Sequence, residues 1–518
     1  MTAAEREAEA LRRAGAPFLT GVPGSGPSYE LLDACERAGV PFVPAAHEGA
    51  GVIIAGAAAR QSGHIGAALS IKGPGVANLA AGSALARFEN YPVITFAEAY
   101  APSADPGLQH KRMPQDAMLS SVVKGVFYRH AGLEIDALAA LARAESPGPV
   151  HLNLVDGPAT AASAGEPARG CELSALIDRV RAARRPLVIC GSAATRLPGT
   201  SVDSPALKGF GVPVFSTAAA KGVIDEGDPA SAGVYTGAGA ELAPEGAILP
   251  LADLVIGIGL RNTEVLGARP FAAPYVSADS LGSVPQEGFQ PALHHAGDLA
   301  VAIEGIRQAV SSARWGLEEV ARARAAVARH LDRAELLPAA CYATLAGIPR
   351  ARLVTDSGNF TIVAEHVWRA AAPGEFVGSS NGRFMGVGLP QAIGVALQDP
   401  ARPTILTTGD GGLPPFVAEM RIAVERRLPL LVVLMSDGYY GSMRARVLER
   451  GFTSAGIRVS QPSWCSTIGA LGCDAARVTT HAEFEATVAR WKPSRGPAFI
   501  EAVMPDAPYV DIVRPLRR

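Results

Sequence analysis

Two short turns in the last third of the chain hold the residues best suited to chemistry. Residues 401–443 read ARPTILTTGDGGLPPFVAEMRIAVERRLPLLVVLMSDGYYGSM. The run ILTT ends at Gly409-Asp410-Gly411-Gly412, and the run PLLVVLM ends at Ser436-Asp437-Gly438. Strand, tight glycine turn, helix, strand and second turn predict two parallel neighbours. Their turns would lie side by side at the carboxyl edge of a sheet, where open α/β sheets bind ligands. Two carboxylates there suit a hard divalent cation, and Mg²⁺ takes a few carboxylates together with phosphate oxygens and water. The glycines let backbone N–H groups approach a phosphate closely. Asp and Gly also dominate ordinary turns, so GDGG alone reads first as a plain turn; the second acid at the next strand end weakens that reading without overturning it.

These turns need a scaffold, and the rest of the chain reads as one. Short apolar runs alternate with Ala-rich helical stretches: PFVPAA (41–46) precedes a helix from Glu48 to Gln61, and IGAALSI (65–71) precedes one beginning near Pro74. YPVITFA (91–97), PVHLNLV (149–155), RPLVICG (185–191) and ADLVIGIGL (252–260) are further strand candidates. The alternation predicts an α/β protein of open, mainly parallel sheets flanked by helices. PATAASAGEPARG (158–170) reads as a linker. A long helical stretch from about Ile306 to Leu337 precedes a second change near Ala339. The expected domains are therefore 1–165, 172–335 and 340–518, and the first and third share a similar pattern.

Bulk properties narrow the function. The chain has 518 residues, 48% hydrophobic and 19% charged, the balance of a globular protein with large cores. A formal net charge of −2 with no basic stripe argues against nucleic acid and anionic membranes as partners. The six cysteines are scattered, with no C-x-x-C pair, so reduced thiols, a cytoplasmic setting and no zinc are expected. The N-terminus reads as a short amphipathic helix rather than a signal peptide, and no apolar run is long enough to span a bilayer.

The turn pair at Asp410 and Asp437 resembles the signature of thiamine diphosphate enzymes of the acetolactate synthase, pyruvate oxidase and benzoylformate decarboxylase group. That signature is GDG followed some two dozen residues later by Asn-Asn; here Ser436-Asp437 stands at the Asn-Asn position. The resemblance implies three domains (pyrimidine-binding, middle and diphosphate-binding) and thiamine diphosphate held through Mg²⁺. It implies that Asp410, Asp437 and the Tyr439 carbonyl bind the metal, and that Gly411, Gly412, Gly441 and Ser442 lie along the diphosphate. Asp437 stands where the family usually has Asn, adding a charge that bound metal must offset. VTDSGNF (354–360) resembles a strand end of the diphosphate site and contributes Asn359. FVGSSNGRFMGVGLPQAIGVAL (376–397) resembles the segment that bends the cofactor into a V, with Met385 as the wedge. The Arg383 carbonyl would accept from the cofactor's amino group. Its side chain, where the family often has Gly, would point to solvent by default or reach a substrate carboxylate.

VPAAHEGAGVIIAGAAARQSGHIGAALSIKGPGVANL (43–79) resembles the pyrimidine-binding segment, with Glu48 at the position of the catalytic glutamate. By resemblance, Glu48 favours the imino tautomer whose base generates the C2 ylid, and the ylid adds to a carbonyl. Its site should be poorly solvated. Glu48 of one subunit would face the diphosphate site of another, giving a homodimer or homotetramer. Gln115 aligns loosely with a glutamine that faces the substrate. His47, His110 and Arg112 either bind a carboxylate, relay a proton or serve as plain surface groups. The stretch GYYGSMRARVLER (438–450) resembles benzoylformate decarboxylase more than acetolactate synthase. The implied activity is decarboxylation and/or carboligation of a small 2-oxo acid or aldehyde by a lyase. An acetolactate synthase-like transferase, an FAD-containing relative and a non-catalytic homologue are the alternatives. FAD is possible but not favoured, because the middle domain has no Gly-x-Gly-x-x-Gly run.

Overall fold

Short apolar runs become fully buried strands wherever helices cover both faces of a sheet, and three such sheets form here. The computed structural model describes the chain except residues 25, 102–103, 105–110, 131–132, 157–169, 198–200, 241, 262–263, 265–269, 283–289, 454, 460–461 and 517–518. The expected linker, apart from its last residue, and His110 lie outside the described residues.

The first sheet comprises β1 (Leu19–Gly21), β2 (Phe42–Pro44), β3 (Gly66–Ser70), β4 (Val93–Ala97), β5 (Val126–Arg129) and β6 (Val150–Asp156), ordered 2-1-3-4-6-5. The second holds β7 (Pro186–Cys190), β8 (Val214–Ser216), β9 (Ser231–Val234), β10 (Leu254–Ile258), β11 (Tyr275–Asp279) and β12 (Leu293–Ala296), ordered 12-11-10-7-8-9. The third holds β13 (Arg352–Thr355), β14 (Phe376–Gly378), β15 (Thr404–Thr408), β16 (Leu430–Ser436), β17 (Asp474–Val478) and β18 (Ala498–Val503), ordered 14-13-15-16-18-17. Subtracting twelve from each strand number turns the third order into the first, so the two outer units share one topology. Renumbered from one, the middle order reads 6-5-4-1-2-3, the doubly wound arrangement of dinucleotide-binding sheets. Neighbouring strands in these sheets run parallel.

The helical stretch expected over 306–337 is two helices, Leu299–Val310 and Leu317–Leu331. Gly316, at φ 79°, breaks it, because a left-handed residue cannot continue a right-handed helix. Helix Glu48–Ser62 is rich in Gly and Ala and buried along nearly its whole length. Small side chains let it lie against helix Gly388–Gln398 of the third unit, where a Cβ on Gly394 would fall 2.2 Å from the Ile54 carbonyl oxygen. Ile54, Ala57 and Ala58 share one apolar core with Leu389, Ala392, Ile393 and Ala396, so the outer units are fused through this pair. All six cysteines are free thiols. Among the described residues, no helix is long and apolar enough to cross a membrane.

Candidate active site

β15 and β16 pair directly, Thr408 opposite Leu434, so the turns that follow them emerge together at the carboxyl edge of the third sheet. Asp410 is 3% exposed and binds the second turn to the first. Its Oδ1 accepts from Ser436 Oγ at 2.8 Å, and its Oδ2 accepts from the backbone N–H groups of Asp437 and Gly438, both at 2.9 Å. Asp437 Oδ1 accepts from its neighbour's Tyr439 N–H at 3.0 Å. Burial, with the Asp410 charge close by, pushes the Asp437 carboxyl up to about 6. The two acids, Tyr439, Asn359, Met385, Gly411, Gly412, Gly441 and Ser442 line one pocket. Ser442 Oγ donates to Asn359 Oδ1 at 3.4 Å. A Cβ on Gly411 would stand 2.5 Å from Tyr440 Cε1 and 3.0 Å from Met385 Sδ, so the absence of a side chain keeps this floor open. Among the described residues, no group of three or more His, Cys, Asp or Glu forms a cage for a metal ion. Any metal at this edge would therefore need oxygens beyond the two carboxylates.

Sequence reasoning missed the residue that gathers these loops. Asp356, fully enclosed at the end of β13, accepts from Ser357 N (2.7 Å), Gly386 N (2.9 Å) and Thr408 Oγ1 (3.2 Å). It thereby joins the loop after β13 and the end of β15 to the Met385 loop, and burial raises its carboxyl to about 6. It stands in the same VTDSGNF run (354–360) that contributes Asn359.

Glu48 opens its helix just beyond the carboxyl end of β2 and is 8% exposed, as a poorly solvated site requires. Its Oε2 accepts from Asn78 Nδ2 at 2.9 Å. Asn78 was also missed, although the segment carrying it was recognised. His47 is the N-cap: its Nδ1 accepts from Gly49 N at 3.0 Å, and its ring meets Phe416 edge-on at 5.5 Å. The turn is held from the third unit by Glu419, which is 0% exposed and accepts from Ala46 N and His47 N at 3.0 and 3.1 Å. No sequence signal marked Glu419.

Gln115 is 7% exposed and does not present a free amide. Its Oε1 accepts from Gly73 N at 2.8 Å, and its Nε2 donates to Glu98 O and Asn153 Oδ1, both at 3.1 Å. It clamps the turn ahead of helix Pro74–Phe88, which carries Asn78. Arg112 lies over the Tyr100 ring at 5.3 Å, and Lys72 faces the same ring at 5.5 Å while pairing with Glu98 at 3.0 Å. The Arg383 side chain corrects its expectation: it neither projects freely into solvent nor waits for a substrate, but meets the buried Glu365 at 2.8 Å. Within one chain the pocket around Asp410 is lined by the third unit alone, and Glu48 is not part of it.

Three parallel-sheet units, two of identical topology, define a multidomain α/β protein. Family models make the class particular. The N-terminal thiamine pyrophosphate binding domain matches residues 1–119, the central domain 173–306 and the C-terminal binding domain 356–502. The chain belongs to the thiamine pyrophosphate enzyme family. It is similar to a protein named as a probable 2-ketoarginine decarboxylase in Pseudomonas aeruginosa, 26% identical over 91% of this chain and 89% of that one. It is also similar to the catabolic acetolactate synthase of Raoultella terrigena (26%; 95% and 92%) and the acetolactate synthase of Bacillus subtilis (22%; 96% and 92%).

Proposed function

We propose that the protein is a thiamine diphosphate- and Mg²⁺-dependent lyase that decarboxylates a small 2-oxo acid, with or without carboligation of the product. The observation that carries this reading is the pairing of Asp410 and Asp437 at adjacent strand ends over a floor kept open by Gly411. Two carboxylates, a turn carbonyl and phosphate oxygens make the oxygen-rich set that Mg²⁺ takes. Asp437 also gains from a cation, since its burial beside Asp410 disfavours its charge.

When bound, thiamine diphosphate supplies a nucleophilic thiazolium carbon and an electron sink. The chain's own residues do the rest. Asp410, Asp437 and the Tyr439 carbonyl hold the metal; Gly411, Gly412, Gly441, Ser442 and Asn359 bound the diphosphate. Met385 and the Arg383 carbonyl orient the far end. Glu48, oriented by Asn78, is the acid–base group placed to exchange a proton in a poorly solvated setting. Because Glu48 is not part of its own chain's metal pocket, the reading requires a second copy to bring the halves together, and the functional unit is at least a homodimer. Similarity to a protein named as a probable 2-ketoarginine decarboxylase supports the decarboxylation in this reading, and equal similarity to an acetolactate synthase supports the carboligation.

Flavin has no part in this proposal. At the carboxyl edge of β7 and β10, where a doubly wound sheet would seat a dinucleotide phosphate, the chain supplies its own acceptor: Glu264 accepts from Ser192 N and from Thr217 Oγ1.

The test is CO₂ release from a panel of 2-oxo acids with added thiamine diphosphate and Mg²⁺. Glu48→Ala should lose most turnover while still binding cofactor. No turnover of any acid by the wild type, or full activity in Glu48→Ala, would overturn the reading.

A further inference from the structure

The Met385 loop is tied down on both sides of its wedge. Ser357 Oγ donates to the Phe384 carbonyl at 2.9 Å, Phe384 N donates to Ser379 Oγ at 2.8 Å, and Gly386 N donates to Asp356. Arg383 enters this loop at φ 49°, in the left-handed region where a side-chain-bearing residue is strained and glycine is not. A long cation at such a position needs a compensating contact. It finds one: Arg383 Nη1 stands 2.8 Å from Glu365 Oε1, with the Glu365 side chain only 2% exposed.

Glu365 is well placed to act as a fixed post. It lies on helix Asn359–Val367, whose first residue, Asn359, lines the pocket shared with Asp410 and Asp437. The other end of that helix is gripped by the middle unit. Lys221 Nζ donates to the Glu365 carbonyl at 3.1 Å and to Glu226 at 2.5 and 2.6 Å, and Glu226 in turn accepts from Ala370 N at 3.0 Å. One rigid helix thus links the diphosphate end of the pocket, the middle unit and, through Arg383, the wedge loop.

We propose that Arg383 and Glu365 are a positioning pair that holds the Met385 loop in its cofactor-ready shape. The inference rests on thiamine diphosphate binding at this pocket. The pair takes over what a glycine at this φ would achieve through backbone freedom: instead of relaxing into the turn, the residue is pulled into it by a buried charge. A guanidinium already facing a buried carboxylate is a poor receptor for a substrate carboxylate, which separates this role from substrate binding.

The experiment is a double-mutant cycle on the full chain, with cofactor affinity read by calorimetry on protein stripped of thiamine diphosphate and Mg²⁺. Arg383→Met and Glu365→Gln should each weaken binding about tenfold, the scale seen when groups behind a binding shell are removed. The double variant should also lose about tenfold rather than about a hundredfold, because one coupled interaction is lost once. The KM for the 2-oxo acid should stay within about twofold in all three. If Glu365→Gln does not fold, Arg383→Lys and Arg383→Met decide: lysine, keeping the charge, should hold affinity near wild type and methionine should not. Multiplying losses, equal behaviour of lysine and methionine, or a raised oxo-acid KM with unchanged cofactor affinity would overturn the pair's role. A wild-type chain that binds no thiamine diphosphate would instead refute the function itself.

Discussion

Replacing Glu419 by alanine should damage both the stability of the chain and the placement of Glu48, a residue it never touches. The Glu419 carboxylate is enclosed and accepts the N–H groups of Ala46 and His47, the two residues ahead of the helix that begins at Glu48. Losing the acceptor leaves two partly buried donors, each worth about 1–3 kcal/mol when orphaned. Partial burial puts each near the low end, and the carboxylate's own burial, which raises its pKa, returns some of the cost. The net loss should be about 1–2 kcal/mol. Urea denaturation of wild type and Glu419→Ala would measure it, with the exposed Glu425→Ala as a control expected to change nothing. At denaturant-free temperatures where both remain folded, kcat/KM should fall about a hundredfold, since displacing a reacting group by about 1 Å costs that much. Glu419→Gln, which keeps one acceptor oxygen, should fall between. A variant with wild-type stability and wild-type rate would refute the argument that the third unit sets the Glu48 turn.

Asp410→Ala removes the acceptor for Ser436 Oγ and two N–H groups, and should abolish Mg²⁺-dependent cofactor retention; unchanged affinity on gel filtration would remove the metal assignment. Gly411→Ala places a methyl 2.5 Å from Tyr440 Cε1, so it should lower both cofactor affinity and thermal stability, by about 1–3 kcal/mol for the latter, as checked by calorimetry. Acid should destabilise the chain through His151, which is enclosed against Thr95 and Asn153, with burial pushing its pKa down from 6.5 to about 4. Because the folded value is depressed, this stability is full above pH 6.5 and is lost as pH falls toward 4, about 3 kcal/mol in all. His151→Gln should flatten that part of a pH-stability curve relative to wild type. The buried Asp356 acts in the opposite sense between 3.8 and about 6 in both proteins and cancels in the comparison.

What the sequence determined by itself was local and periodic. Apolar runs ending in Gly-Asp turns placed β15, β16 and the adjacent acids, because a buried parallel strand and its turn are written in consecutive residues. Glu48 was singled out only by the resemblance of residues 43–79 to a pyrimidine-binding segment, since an acid at a helix start is by itself an ordinary dipole-favoured residue. Only the tertiary structure decided the partners. Glu419 lies more than three hundred residues from the turn it holds, Asp356 joins two loops to the end of β15, and Glu365 claims the Arg383 side chain that sequence reading sent to solvent or to a substrate carboxylate. Periodicity says which face of an element is buried but not what it is buried against, and a single buried carboxylate leaves no pattern behind. The break at Gly316 was missed for a related reason: helix propensity on either side was high, and one residue's left-handed φ outweighed it. The shared order of the first and third sheets was likewise hidden, since pattern alone suggests repeated units while strand pairing across crossovers is settled only by packing.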